Sequence, residues 1–263
     1  MQGNLANFDA RSYLEARFAG PNEFRSEFYL KNFHDFYQRF HTEWDAKTAR
    51  LLEFGGGPCI HTLISAAPYV SEIVFADYAE DNLKEVKLWR DSNRTSFDWS
   101  SFFKYVVKEL EGQSDCSAAA VDRESVLRSR VTSIIPCDIW QDDPIGSGAG
   151  GETQQLFDIV SCSLTIVTTS KTLDEYRGNL RKLMNLLKPR GFYIGVEAVE
   201  VTWWSAGETK YPTVTFTAAG LHDVLREVGM EVLGSCHVDV PESSRFKSSD
   251  TRAYLFTVAR KTL

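Results

Sequence analysis

The chain holds 263 residues, 43% of them apolar, and its 36 acidic against 29 basic side chains leave a formal charge of -7. That size fits one large domain with a well-buried core, and the acidic balance argues against the clustered lysines and arginines that a phosphate backbone demands. No nucleic-acid partner is expected. The five cysteines (Cys59, Cys116, Cys137, Cys162, Cys236) are odd in number, scattered and without a CxxC pair, which suits reduced, packed thiols. With no run of eighteen apolar residues and no apolar leader in "MQGNLANFDARSYLEARF", the expectation is a cytoplasmic monomer without a membrane partner.

Along the chain, the first 45 residues are aromatic-rich at helical spacing (Phe24, Phe28, Leu30, Phe33, Phe36, Tyr37, Phe40) and read as a helical lid. Five apolar runs then read as buried strands: "ARLLEF" (49–54), "EIVFAD" (72–77), "VTSIIPCD" (131–138), "LFDIVSCS" (156–163) and "GFYIGVEAV" (191–199). "CSAAAVDRESVLRSR" (116–130) is expected as a helix, and "QDDPIGSGAGGETQQ" (141–155) as a mobile loop. Leu173, Tyr176, Leu180, Leu183 and Leu187 mark a helix face that "KPRG" should end. Next come a hairpin within 200–216, a helix from Thr217 to about Val228, and two final strands expected as antiparallel neighbours. The predicted architecture is a single α/β domain, 1–263, with a mostly parallel seven-stranded sheet, an antiparallel last strand, and helices on both faces.

"LLEFGGGPCIHTLI" sets three glycines directly after the first strand. A triphosphate loop would need GxxxxGK[ST], and no lysine follows at that spacing. A dinucleotide site would need GxGxxG, but Gly55, Gly56 and Gly57 are followed by Pro58, Cys59 and Ile60. A nucleoside without a pyrophosphate, or a purely structural turn, remains. Asp77 closes the next strand about 20 residues on, where a carboxylate accepts ribose hydroxyls. Asp138 ends the strand after that, where it could accept from an exocyclic amine with Ile139 packing on a base. One such acid is more often a strand-end cap; acids at successive strand ends point to a ligand on the carboxyl edge.

This order of glycine turn, ribose acid and adenine acid resembles the Rossmann-like S-adenosylmethionine-dependent methyltransferases. "RSYLEARF", "GGGP", "ADYAEDNL", "FDWSSFFKYV", "ELEG", "LLKPRGF" and "GETKY" are similar to the branch of small-molecule N-methyltransferases acting on nicotinamide, phenylethanolamine and indolethylamine. The resemblance implies S-adenosyl-L-methionine as cofactor, S-adenosyl-L-homocysteine as product, a small amine as partner and no metal. It places Tyr13 at the methionine carboxylate and Gly55 and Gly57 at the methionine moiety, with Phe18, Gly56 and His61 also among the cofactor-binding positions. Asp77, Tyr78 and Asn82 fall at the ribose side, Asp138 and Ile139 at the adenine, and Ser163 on the strand lining the cofactor. Three positions depart from the branch: Glu53 stands where nicotinamide-type enzymes often carry Asp, His61 where they carry Tyr, and Phe18 where a second N-terminal Tyr is usual.

For the acceptor, the resemblance implies Glu197 as the acid that orients the amine or takes its proton, with Leu164, Trp204 and Thr213 around it. Glu200 is the second candidate acid. Val201, Trp204 and Thr213 replace the small hydroxyl residues and tyrosine of nicotinamide-type sites, so the pocket is expected to be bulkier and less polar and to take a compact aromatic or heteroaromatic amine, with nicotinamide less favoured. The alternative is a protein of the same fold that binds the cofactor as a sensor or scaffold without turnover.

Overall fold

The computed structural model describes residues 9–146, 156–206, 209–245 and 247–262. Seven strands form one sheet in the order β3-β2-β1-β4-β5-β9-β8, numbered along the chain as β1 Arg50–Phe54, β2 Glu72–Asp77, β3 Val131–Pro136, β4 Phe157–Ser161, β5 Leu187–Val199, β8 Met230–Asp239 and β9 Ala253–Lys261. A separate hairpin pairs β6, Trp203–Ala206, with β7, Thr209–Pro212. The chain divides into two compact units, Asn7–Leu51 with Gly56–Pro136, and Leu52–Gly55 with Cys137–Leu263.

In the first unit, α1 (Ala10–Arg17) starts because Asp9 caps it, accepting the Ser12 amide at 3.0 Å. α2 (Phe24–Phe40) buries Phe28, Leu30, Phe33, Phe36 and Tyr37 of the stripe its spacing announced, and Tyr29 besides. Tyr37 stacks on Tyr69 with ring centroids 6.0 Å apart. β2 and β3 pair in parallel from Ile73 opposite Val131 to Asp77 opposite Pro136. The remaining helices of this unit are α3 (Glu80–Arg90), α4 (Ser100–Tyr105), which runs into one π-helical turn at Val106–Leu110, and α5 (Cys116–Arg130). α5 has the bounds read from the sequence. Its Arg123 makes a paired bond to Glu111, 2.8 Å at each nitrogen, the fork geometry that suits guanidinium and carboxylate.

In the second unit, β5 runs parallel to β4 and antiparallel to β9, and β9 pairs antiparallel with β8. The last strand is the reversed one, and the two final strands are neighbours, as expected. α6 (Thr165–Thr169), α7 (Leu173–Asn185) and α8 (Ala218–Glu227) complete the unit. Two local expectations need correcting. α7 buries Tyr176, Leu180 and Leu183, but Leu173 is 41% exposed and Leu187 already belongs to β5. "KPRG" accordingly lies inside the strand: Leu187 opposes Phe157 and Phe192 opposes Ile159, so Lys188–Gly191 bulge out, with Arg190 at φ 62. A bulge is where a strand tolerates proline, and Lys188 secures this one to Asp158 at 2.8 and 3.0 Å. The expected loop at 141–155 lies outside the described residues from 147 onward.

Among the described residues, no helix is long and apolar enough to cross a membrane, and none of the five cysteines forms a disulfide.

Candidate active site

The first unit carries Asp77 at the end of β2. Its carboxylate, 6% exposed, accepts three bonds of 2.8 Å, from the Gly57 amide, the Ala79 amide and the Asn82 side chain. Burial raises the Asp77 pKa, while the bonds from Asn82, Ala79 and Gly57 oppose the rise. Gly57 itself stands at φ 63, a conformation that glycine adopts without a Cβ penalty. Asp77 and the glycine turn are therefore one hydrogen-bonded assembly. Asn82 is 8% exposed, and its Oδ1 is buried with no hydrogen-bond partner among the described residues. Tyr78, next to Asp77, keeps 38% of its surface exposed.

His61 lies in an aromatic cage in the same unit. Its ring centroid is 4.9 Å from Phe18, 5.3 Å from Tyr29 and 6.0 Å from Trp99, on which it stacks. Tyr13 meets Phe18 edge-on at 6.1 Å, and the Arg25 guanidinium lies over the Phe18 ring at 5.1 Å. Burial, and then the Arg25 charge, push the His61 pKa down to about 3, so the imidazole is neutral. Its Nδ1 is buried with no hydrogen-bond partner among the described residues. Tyr29, Arg25 and Trp99 were not singled out from the sequence; Trp99 sits within "FDWSSFFKYV", where it reads as one of a run of apolar residues.

In the second unit, Gly55, at φ 69, follows the last residue of β1, and the Thr165 hydroxyl donates to its carbonyl at 3.0 Å. The Ser163 hydroxyl accepts the Val196 amide at 3.1 Å, and the Leu164 amide donates to the Val196 carbonyl at 2.8 Å. Leu164 holds φ 60, which an L-residue adopts only when its surroundings enforce it. Asp138 is half-buried and caps its own turn, accepting the Trp140 amide at 2.9 Å and the Gln141 side chain at 3.2 Å. Ile139 beside it is 3% exposed, and its carbonyl accepts from Lys182 at 2.9 Å.

Glu197, on β5, is 2% exposed. The Tyr176 hydroxyl donates to Oε1 at 2.9 Å, whereas Oε2 is buried with no hydrogen-bond partner among the described residues. Burial pushes its pKa up to about 8, against the opposing pull of the Tyr176 hydroxyl and the Val167 amide. Glu200 differs: it is exposed, at φ 55. The hairpin side chains are committed to α6. Trp204 stacks on Tyr211 at 5.0 Å and donates to the Thr168 carbonyl at 3.1 Å, and the Thr213 hydroxyl donates to the Val167 carbonyl. Val201 is buried and apolar.

The model of the NNMT/PNMT/TEMT family matches residues 2–262. Human nicotinamide N-methyltransferase is 28% identical over 230 residues, covering 87% of this chain and 84% of its own. Mouse indolethylamine N-methyltransferase is 30% identical over 211 residues (80% and 76%), and pig phenylethanolamine N-methyltransferase 28% over 211 residues (80% and 72%). Among solved structures, an S-adenosylmethionine-dependent methyltransferase from Methanosarcina mazei superposes with TM-score 0.57 at 11% identity, covering 86% of this chain and 98% of that one. Magnesium protoporphyrin IX methyltransferase from Synechocystis, solved with S-adenosylmethionine bound, gives TM-score 0.55 at 11% identity, with 98% and 93% covered. These two likenesses concern the fold alone. A whole-chain family match, together with relatives aligned over most of their own length, shows that the chain belongs to the NNMT/PNMT/TEMT family.

Proposed function

We propose that the chain transfers a methyl group from S-adenosylmethionine to the nitrogen of a compact aromatic amine, releasing S-adenosylhomocysteine. When bound, the cofactor supplies a methyl on a positive sulfonium, open to in-line displacement by a lone pair. The residues fit such a ligand. Asn82 Oδ1 is a buried acceptor without a donor, and His61 Nδ1 is a buried nitrogen without a partner, as expected of groups that bond to a ribose hydroxyl and to the polar methionine end. Asp77 would share the ribose. Gly55, Gly56, Gly57, Tyr13 and Phe18 would take the methionine side, and Tyr78, Asp138, Ile139 and Ser163 the nucleoside.

The observation that carries the acceptor assignment is Glu197, a buried carboxyl with one oxygen committed to Tyr176 and the other without a hydrogen-bond partner among the described residues. An amine offers N–H donors and satisfies that oxygen. With its pKa near 8, the group holds an ammonium or accepts its proton in the range where the amine must expose a lone pair. Glu200, exposed, lacks the desolvation that makes such a contact strong. A carboxamide is less well matched. Val201 has no hydroxyl and the Thr213 hydrogen is already given to Val167, so neither donates to an amide oxygen. Trp204, stacked on Tyr211 and bonded through its indole N–H to the Thr168 carbonyl, would form the aromatic wall, where a developing cation gains about 0.5 to 2 kcal/mol.

The test incubates the protein with methyl-labelled cofactor and nicotinamide, phenylethanolamine or indolethylamine. Label should pass to the two ethylamines at least tenfold faster than to nicotinamide. Tight cofactor binding with transfer to none of the three would sink the enzymatic reading.

A further inference from the structure

We propose that Tyr176 is a positioning residue for the reaction: its hydroxyl fixes Oε1 of Glu197 and leaves Oε2 as the one oxygen turned over to the acceptor nitrogen. The inference rests on the assignment of Glu197 above. α7 delivers the tyrosine at 2.9 Å from Oε1, fully buried, with its ring held edge-on by Phe216 at a centroid distance of 4.9 Å. Burial, and next the Glu197 charge, hold the Tyr176 pKa well above the ordinary phenol value, so the hydroxyl remains a donor at every working pH.

That permanent donor also favours the ionised form of Glu197. The other titratable groups around the carboxyl act differently. Tyr193, on β5, and Cys162, just beyond β4, both have pKa values raised by burial and then by Glu197, so both stay neutral; Cys162 also feels Glu53 of β1. Opposite Glu197, β9 places Leu255, and α6, "TIVTT", contains no titratable side chain. Neither Tyr193 nor Cys162 makes a hydrogen bond to Glu197 that relieves its charge. Tyr176 is therefore the side chain that sets how readily Glu197 ionises, and with it the acid edge of the pH range for turnover.

The experiment compares wild type, Tyr176→Phe, Glu197→Gln and the double variant, all as full-length protein. Calorimetry with S-adenosylmethionine comes first, and affinity should stay within twofold for Tyr176→Phe. The pH profile of kcat/KM is then measured with the fastest of the three amines named above. Tyr176→Phe should move the acid limb upward by about one pH unit, costing about tenfold at pH 7 and recovering above pH 9. In the Glu197→Gln background the same substitution should shift nothing. An unmoved acid limb in Tyr176→Phe, with Glu197→Gln abolishing that limb, overturns the role of Tyr176 alone. An intact limb in Glu197→Gln overturns the assignment of Glu197 beneath it. A readout that needs neither substrate nor a Tyr176 variant is the infrared difference between wild type and Glu197→Gln. It should show a hydrogen-bonded carboxyl stretch, and a free-carboxyl frequency would overturn the proposal.

Discussion

The Asp77 carboxylate accepts the Gly57 amide at 2.8 Å, across twenty positions of sequence, and so the acid expected to grip a ribose also braces the turn that receives it. A carboxylate kept only for a ligand would be dispensable in the free protein. Asp77→Ala strands the Gly57 and Ala79 amides and the Asn82 side chain together, and buried donors without partners each cost on the order of 1 to 3 kcal/mol. We expect Asp77→Ala to lower the unfolding free energy of the ligand-free protein by about 3 kcal/mol and to abolish cofactor binding. Urea denaturation without ligand is the check, and unchanged stability would confine Asp77 to ligand binding.

Two glycines of the turn should respond unequally to a methyl group. At Gly57, a Cβ meets nothing closer than the Cys59 sulfur at 4.0 Å, so Gly57→Ala carries only the left-handed backbone penalty of about 1 to 2 kcal/mol. At Gly55, a Cβ lies 2.2 Å from Thr165 Oγ1 and 2.5 Å from its Cγ2, in addition to the same penalty. Gly55→Ala should therefore destabilise the protein clearly more than Gly57→Ala. Adding Thr165→Ala should recover part of that difference, and strict additivity in a double-mutant cycle would contradict the overlap.

Glu197 has a stability signature that depends on pH. Its pKa is near 8 in the folded chain against the ordinary 4.5, so between these values the folded state holds a proton that the unfolded state has lost. Stability from this group is intact below about pH 4.5 and declines as pH rises toward 8. Glu197→Gln, which cannot ionise, should gain on wild type across that window, by up to about 5 kcal/mol at pH 9. Denaturation series at pH 5, 7 and 9 measure it; a constant difference would mean that Glu197 is ionised throughout.

His61 runs the other way. Its folded pKa is about 3 and its ordinary value 6.5, so between these values the unfolded chain binds the extra proton. The neutral imidazole contributes stability that is complete above pH 6.5 and is lost as pH falls toward 3, at about 1.4 kcal/mol per pH unit. His61→Phe should flatten the acid limb of the stability curve between pH 6 and 4. If the variant and wild type lose stability in parallel over that range, the imidazole is not buried neutral.

Much of the framework was legible in the residues because it is written in local chemistry. β2 ends at Asp77, α5 spans Cys116–Arg130 and a hairpin lies within 200–216, since strand alternation, helical spacing and turn residues act over a few positions. "KPRG" misled for the same reason. Pro189 and Gly191 signal a helix stop, yet the pairing of Lys188 with Asp158 absorbs them into a bulged strand, and that partner lies 30 positions away.

By itself the sequence determined the kind of fold and the residue types at the strand ends, glycine where the backbone must turn left-handed and acids beyond the strands. Only the tertiary structure decided what each polar atom is free to do. The hydroxyl of Thr213 is spent on Val167, the carboxylate of Asp77 on Gly57, Ala79 and Asn82, and one oxygen of Glu197 on Tyr176, while its other oxygen is buried without a hydrogen-bond partner among the described residues. Hydrogen bonds are short-ranged and saturable, so their allocation depends on separations of about 3 Å between residues far apart in the chain, and no spacing along it encodes them.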